Sequence, residues 1–283
     1  MKLYAYAKIN LGLYILGKRP DNYHDLETVF HEVDLCDEIT VTLAERDGFD
    51  CSTENIPMGE DNLCMQAVRL LQAEQKIDGC VHIALMKNIP IGAGLGGGSS
   101  DAAATLVALN KLWNLNLGSD VLCQYAAKIG SDVPFFIRGG SAYAHGRGEI
   151  LEQLRLGIPF WIVLVTPPVH VSTAWAYRNL KVYRNGIPTG IKTELPHALK
   201  NPALLSQVVQ NDFEEIIFAQ YPVIQSIKFK LLRSGASFAL MSGSGSSVFG
   251  LYDNEASARF AAGSFPKDHT VSLTAPFFNA RND

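Results

Sequence analysis

The sequence predicts an α+β protein with two domains, and three observations carry that prediction. The chain has 283 residues, 47% hydrophobic and 18% charged, enough for more than one core, since domains commonly run about 100–200 residues. Short apolar runs with β-formers open it, and a strand, a glycine cluster and an Ala- and Leu-rich helix follow in that order. Beyond Ser141 short strands return and alternate with helices, which puts a boundary near Gly157, between domains 1–157 and 158–283.

Taken in order, Leu3 to Ile9 and Leu11 to Leu16 read as two short strands, followed by a turn at Arg19-Pro20-Asp21-Asn22 and runs at Leu26 to Leu35 and Glu38 to Leu43. A helix is expected from Asn62 to Ala73, and Val81 to Leu85 alternates as a half-buried strand should. Asp101 to Trp113 reads as a helix capped by Ser99 or Ser100. Another runs from about Ser119 to Lys128 and stops at Gly130, expected as a left-handed cap. Phe160 to Val165 is the most apolar strand of the second half, and Val182 to Pro202 is turn-rich and expected to be a surface connection. Helices at Phe213 to Ala219 and Val223 to Leu232, a strand pair around Ser242 to Ser246, a further helix and a strand at His269 to Leu273 complete the chain.

Composition excludes several classes. With 24 Lys+Arg against 28 Asp+Glu the net charge is -4, whereas binding to a phosphate backbone normally leaves a basic excess. The five cysteines form no Cys-x-x-Cys pair and read as buried thiols of a reducing compartment. Lys8 and Asn10 interrupt any signal-peptide core, and no apolar run approaches the roughly 20 residues of a membrane span. The expectation is a cytoplasmic protein, monomer or homodimer, that binds neither nucleic acid nor membrane.

The glycines are the strongest chemical signal. Five of the 24 fall within Gly92, Gly94, Gly96, Gly97 and Gly98, a costly cluster unless the backbone must do what other residues cannot. In Pro90-Ile91-Gly92-Ala93-Gly94-Leu95-Gly96-Gly97-Gly98-Ser99-Ser100-Asp101, residues without Cβ let backbone N–H groups converge on an anion, and a helix start adds a partial charge of about +0.5. Phosphate binding is the natural use. The Walker pattern fails because no Lys follows the glycines, and the dinucleotide pattern fails because the region about 20 residues on is a helix end, Lys111 to Asn114.

Other candidates keep two readings each. Asp132, between Gly130 and Val133-Pro134-Phe135-Phe136, is either a hydroxyl base or a turn cap. Lys8 and Asn10 project from one face of the first strand, which is either a solvated edge or a polar site. Tyr23-His24, Trp175 and Tyr177 either stack on a flat heterocycle or pack. Ser242-Gly243-Ser244-Gly245-Ser246 either contacts phosphates or forms a tight hairpin.

Together these segments resemble the GHMP kinases, small-molecule kinases named for galactose, homoserine, mevalonate and phosphomevalonate. The resemblance rests on Ala7-Lys8-Ile9-Asn10-Leu11, the Pro90 to Ala103 loop and the Ser242 to Ser246 turn, in the family's order. Arg19 to Leu26, Glu60-Asp61-Asn62-Leu63, Gly130 to Phe136 and Asn211-Asp212-Phe213-Glu214 narrow it to the branch that acts on a cytidyl diphosphate sugar-alcohol. The motifs span nearly the whole chain. Ile9, Ser131 and Ser242 are conservative departures from the family's usual residues.

The resemblance implies an N-terminal domain like ribosomal protein S5 domain 2, a ferredoxin-like C-terminal domain and an active site between them. It implies ATP with Mg2+, phosphorylation of the 2-hydroxyl of a methylerythritol moiety, and a place in non-mevalonate isoprenoid precursor biosynthesis. By motif position Asp132 matches the catalytic aspartate and Lys8 the lysine beside it. Pro90, Gly92, Gly94, Leu95, Gly96, Gly97, Gly98, Ser99 and Ser100 match the ATP loop, and Asn62 and Lys87 the adenosine pocket. Asn10, Tyr23 and His24 match cytidyl-binding positions, with His24 reading the cytosine edge and Tyr23 stacking on it. Tyr177 matches the opposing aromatic, with Trp175 close by, and Thr173 a residue near the reacting end. No metal ligand is assigned. The rivals are a mevalonate- or homoserine-type kinase, a non-catalytic nucleotide-binding module and a dinucleotide oxidoreductase.

Overall fold

The computed structural model describes residues 1–54, 56–180 and 183–280. Two long strands open the chain, β1 (Lys2–Lys18) and β2 (His24–Ala44). Each was expected as two shorter runs. Residues 7 to 15 of β1 are all buried, so the two-residue alternation that marks a strand is masked there, and Lys8 and Asn10 continue the strand with their polar ends satisfied inside.

β3 (Gly48–Cys51), α1 (Leu63–Gln75), β4 (Cys80–Met86), α2 (Gly97–Leu112), α3 (Ser119–Ile129), α4 (Val133–Arg138), β5 (Ser141–Gly146) and β6 (Ile150–Leu154) follow. The second half runs β7 (Trp161–Thr166), α5 (Thr173–Asn179), α6 (Ile191–Ala198), α7 (Leu205–Val208), α8 (Glu214–Gln220), α9 (Pro222–Arg233), β8 (Phe238–Met241), β9 (Val248–Tyr252), α10 (Glu255–Gly263) and β10 (Thr270–Thr274).

The chain forms two compact units that are discontinuous in sequence, where the sequence reading placed one cut near Gly157. The first comprises Met1–Ala7, Leu35–Ile89 and Gly96–Gly139. In it the end of β2 pairs antiparallel with β4, from Glu38 opposite Met86 to Ala44 opposite Cys80, and β3 joins β4 in parallel. α1 packs on α2, burying Met65, Val68 and Leu71 from one and Ala102, Leu106 and Leu109 from the other, each large side chain contributing about 1.5–3 kcal/mol of burial.

The second unit comprises Lys8–Asp34, Pro90–Leu95 and Gly140–Asp283. The start of β2 pairs with β5, from Leu26 opposite Gly146 to His31 opposite Ser141, and β5 pairs with β6. An antiparallel sheet in the order β10-β7-β9-β8 forms its other layer. Val163, Val165, Met241 and Val248 of that sheet share a core with Ile224, Ile227 and Leu231 of α9 and Ala258 and Ala261 of α10. No helix among the described residues is long and apolar enough to cross a membrane.

Four local expectations are corrected. α2 begins at Gly97 with Gly96 at the cap position (φ +69°), so Ser99 and Ser100 lie inside the helix and no side chain caps it. Gly130 ends α3 in an extended conformation (φ -176°) instead of a left-handed one, because the chain turns directly into α4, which had not been foreseen. The stretch expected as a surface connection contains α6, whose Ile191, Leu195 and Ala198 are buried; Val182 itself lies outside the described residues. Of the five thiols only Cys64 is buried, on the inner face of α1, and the other four are half-buried.

Candidate functional site

In the second unit, Lys8 and Asn10 resolve to a polar site, being only 4% and 2% exposed. The Lys8 Nζ donates to Asn10 Oδ1 at 2.6 Å and to Gly94 O at 3.2 Å, and lies 4.9 Å from the centre of the Phe30 ring. Asn10 Nδ2 donates to Thr28 Oγ1 at 2.8 Å, and that hydroxyl donates to Gly12 O. Alternation along β1 puts both side chains on one face, and the neighbouring strand β2 supplies Thr28 and Phe30 beneath them. A buried ammonium needs such partners, since an unpaired charge would be expelled or neutralised.

The turn between β8 and β9 meets this pair. Ser242 Oγ accepts from Asn10 N at 3.2 Å and donates to Gly94 O at 3.0 Å. Gly94 has a positive φ (+79°), and a Cβ there would lie 2.2 Å from Ser242 O, so only glycine permits this approach. Asn211 Nδ2 donates to Met241 O and Gly243 O, both at 2.8 Å, and Glu214 Oε1 accepts from Met241 N at 2.9 Å. Thr173 Oγ1 and Ser244 Oγ are 2.9 Å apart. The turn is thus a pinned element that presents hydroxyls and backbone.

An aromatic group forms in the same unit. The His24 ring stacks on Tyr177, with centroids 4.9 Å apart and planes at 26°, and on Tyr183 at 5.7 Å and 17°. Phe213 supports Tyr177 edge-on at 4.9 Å. Burial, with Lys18 adding to it, holds the His24 imidazole below its ordinary pKa, so it is neutral at pH 7 and offers one donor and one acceptor nitrogen. Tyr23 is exposed, with the Arg147 guanidinium 4.8 Å from its ring centre. Trp175 turns to Tyr221 instead.

In the first unit, Gly96, Gly97 and Gly98 open α2, and its first N–H groups have no capping side chain. A Cβ on Gly97 would lie 2.9 Å from both Ile89 Cγ2 and Lys87 Nζ. Such a helix start, bare of side chains, suits an anion. Ser100 Oγ donates to Tyr6 O at 2.7 Å, so that hydroxyl holds β1. Asn62 caps α1, accepting from Cys64 N and Met65 N, while its amide donates to Pro57 O. The Lys87 ammonium is buried between two carboxylates, Asp37 and Asp101. Asp132 occupies the cap position of α4, yet its side chain makes no capping hydrogen bond, which weakens the turn-cap reading. Among the described residues no group of three or more His, Cys, Asp or Glu side chains could hold a metal ion.

Comparison with known proteins now decides the family. The model of the GHMP kinases N terminal domain matches residues 62–140, and that of the GHMP kinases C terminal matches 192–269. A relative from Prosthecochloris aestuarii is 45% identical over 97% of this chain and 96% of its own. The chain belongs to the GHMP kinase family. That relative is named 4-diphosphocytidyl-2-C-methyl-D-erythritol kinase, as is one from Chlorobium phaeobacteroides, 46% identical over 97% of this chain and 96% of its own. A crystal structure of 4-(cytidine 5'-diphospho)-2C-methyl-D-erythritol kinase superposes with a TM-score of 0.83 at 32% identity, covering 99% of this chain and 100% of the other. Homoserine kinase from Cytophaga hutchinsonii, at 18% identity, TM-score 0.74 and coverage of 96% and 95%, shares the fold. The two-domain GHMP kinase fold expected from the motifs is therefore present.

Within this GHMP kinase the second unit gathers Lys8, Asn10 and Gly94 with the Ser242 turn, and His24 with Tyr177. Tyr23 does not join the His24 stack. Sequence reading missed Thr28, Asn211, Tyr183, Asp37 and Asp101. Asn211 and Asp101 stood in quoted motifs, but the partners of Asn211 are the carbonyls of Met241 and Gly243 and that of Asp101 is Lys87, and nothing in the linear sequence marks those pairings.

Proposed function

We propose that this GHMP kinase transfers the γ-phosphoryl group of ATP to the 2-hydroxyl of 4-diphosphocytidyl-2-C-methyl-D-erythritol, giving the 2-phosphate and ADP in non-mevalonate isoprenoid precursor biosynthesis. The observation that carries the reading is near-full-length identity of 45% and 46% to relatives that bear that kinase's name. The geometry supports it. A neutral imidazole between aromatic rings suits a cytosine, whose ring offers a face for stacking and donors and acceptors along its edge.

Phosphoryl transfer asks mainly for positioning and charge stabilisation. The backbone amides of Gly96 to Ser99 would hold the phosphates of ATP at the start of α2, with Pro90, Gly92, Gly94 and Leu95 shaping the loop that leads there and Ser100 fixing the helix. Asn62 and Lys87 would line the adenosine side, and Asn10, Tyr23, His24, Thr173 and Tyr177 the cytidyl substrate. Asp132 takes the proton of the 2-hydroxyl as its oxygen bonds to the γ-phosphorus and the bond to the β-phosphate oxygen breaks. Lys8 supplies a positive charge that favours the alkoxide. Mg2+ carried on the phosphates would neutralise their charge.

The two family-model matches fall on either side of Gly157, and on that ground the division into 1–157 and 158–283 is proposed for the N- and C-terminal domains. Five free thiols accord with a reducing cytoplasm. A coupled assay for ADP with the cytidyl substrate, mevalonate and homoserine tests the function. Turnover of the cytidyl substrate alone is expected; phosphorylation of mevalonate or homoserine in its place would overturn the substrate assignment.

A further inference from the structure

The Lys87 ammonium lies within a cluster that the functional reading leaves unexplained. Its Nζ donates to Asp37 Oδ2 and to Asp101 Oδ2, the latter at 2.8 Å, and all three side chains are almost wholly buried. Asp37 Oδ1 also accepts the backbone N–H groups of Asn88, at 2.5 Å, and Ile89, at 2.8 Å. Asn88 Nδ2 donates to Cys36 O at 2.9 Å. Asp37 lies on β2, Lys87 to Ile89 on the segment leaving β4, and Asp101 in the second turn of α2. The cluster therefore ties together the two chain ends from which the loop Pro90–Leu95 springs: Ile89 on one side and the Gly97 helix start on the other.

With its ammonium engaged by two carboxylates, Lys87 can hold the loop mechanically as well as line the adenosine side. We infer that Asp37 and Asp101 are positioning residues for ATP, clamping both ends of the glycine loop through Lys87 so that the first amides of α2 are held where the phosphates bind. This rests on the kinase reading above. Charge strengthens it. Two carboxylates face one ammonium, with the Cys64 thiol of α1 nearby and the Cys51 thiol beyond it, and Asp101 Oδ1 is buried with no hydrogen-bond partner. Burial, with Asp37 adding to it and Lys87 opposing, pushes the Asp101 carboxyl up to about 7. As the Asp101 carboxyl ionises, a negative charge develops beneath the helix start that receives the phosphates.

The test uses the full chain and a non-hydrolysable ATP analogue, with affinity read by calorimetry and KM read for each substrate. Asp37→Asn should weaken the analogue, and raise KM for ATP, at least about 10-fold, while kcat and KM for the cytidyl substrate stay within about threefold. Asp101→Ala should do the same. Asp101→Asn keeps an oxygen for Lys87 and should bind the analogue within about threefold of wild type. The rise in KM for ATP expected above pH 7 in the wild type should be flattened in Asp101→Asn. If Asp37→Asn fails to fold, the contrast between Asp101→Ala and Asp101→Asn decides. Wild-type affinity in Asp37→Asn and Asp101→Ala, or equal losses for both substrates, would overturn the clamp alone. A wild-type protein that binds no ATP analogue would overturn the kinase reading, and the clamp with it.

Discussion

Asn10 holds the Lys8 ammonium through its side-chain oxygen at 2.6 Å, two residues further along the same strand. The bond fixes a long, mobile side chain inside the protein, and Gly94 O and the Phe30 ring restrain it further. Ordered this way, the charge would cost no reorganisation in the proposed reaction, in which an anion develops beside it.

Lys8→Met should therefore remove the charge while filling much of the same space. Turnover is expected to fall at least about 100-fold, the usual scale for groups that manage a proton, with ATP-analogue affinity within a few fold of wild type. Asp132→Asn should behave alike. Steady-state kinetics and calorimetry on each variant check both, and near-wild-type turnover in Asp132→Asn would remove that residue from the mechanism.

The His24–Tyr177 stack makes a prediction about KM. An aromatic pair of this kind is worth about 0.5–1.5 kcal/mol, so Tyr177→Ala should raise KM for the cytidyl substrate several-fold and leave KM for ATP alone. Tyr177→Phe keeps the ring and should sit near wild type. Equal effects of both substitutions would argue against stacking as the contribution.

Gly94 and Gly98 separate two uses of glycine. A methyl group on Gly94 collides with the backbone of Ser242 and forces a positive φ on alanine, whereas on Gly98 it meets only Leu63 Cδ1 at an ordinary 3.7 Å. Gly94→Ala should cost about 2 kcal/mol or more, read as a lowered urea midpoint. Gly98→Ala should fold normally, and any loss it shows in ATP affinity reports on the space the phosphates need.

His31 gives a pH signature of folding. It is fully buried, its Nδ1 lies 2.7 Å from Ser141 Oγ, and burial lowers its pKa from 6.5 to about 4. The native state therefore keeps it neutral while the unfolded chain binds a proton below 6.5. Its contribution is complete above pH 6.5 and is lost as the pH falls toward 4, by up to about 3 kcal/mol. His31→Gln should flatten the fall in unfolding free energy over that window; an unchanged pH dependence would assign it to other groups.

Much of the fold was legible because it is local. The helical spacing of Leu106 and Leu109, the helix expected from Asn62 to Ala73 and the glycine cluster are each set within a few residues, and the elements they predict are present. Errors arose where burial on both faces hid the period, as in β1, or where a turn-rich composition concealed α6, whose apolar face is seen only against its neighbours.

By itself the sequence determined the family motifs, and their order along the chain. Only tertiary structure decided that Lys8 and Asn10 are buried and not a solvated edge, that His24 lies against Tyr177, and that Lys87 faces Asp37 and Asp101. The reason is physical. A side chain's charge, tautomer and reach depend on which backbone groups and rings approach it from distant segments, Gly94 and Ser242 above all, and spacing along a chain carries no record of those approaches.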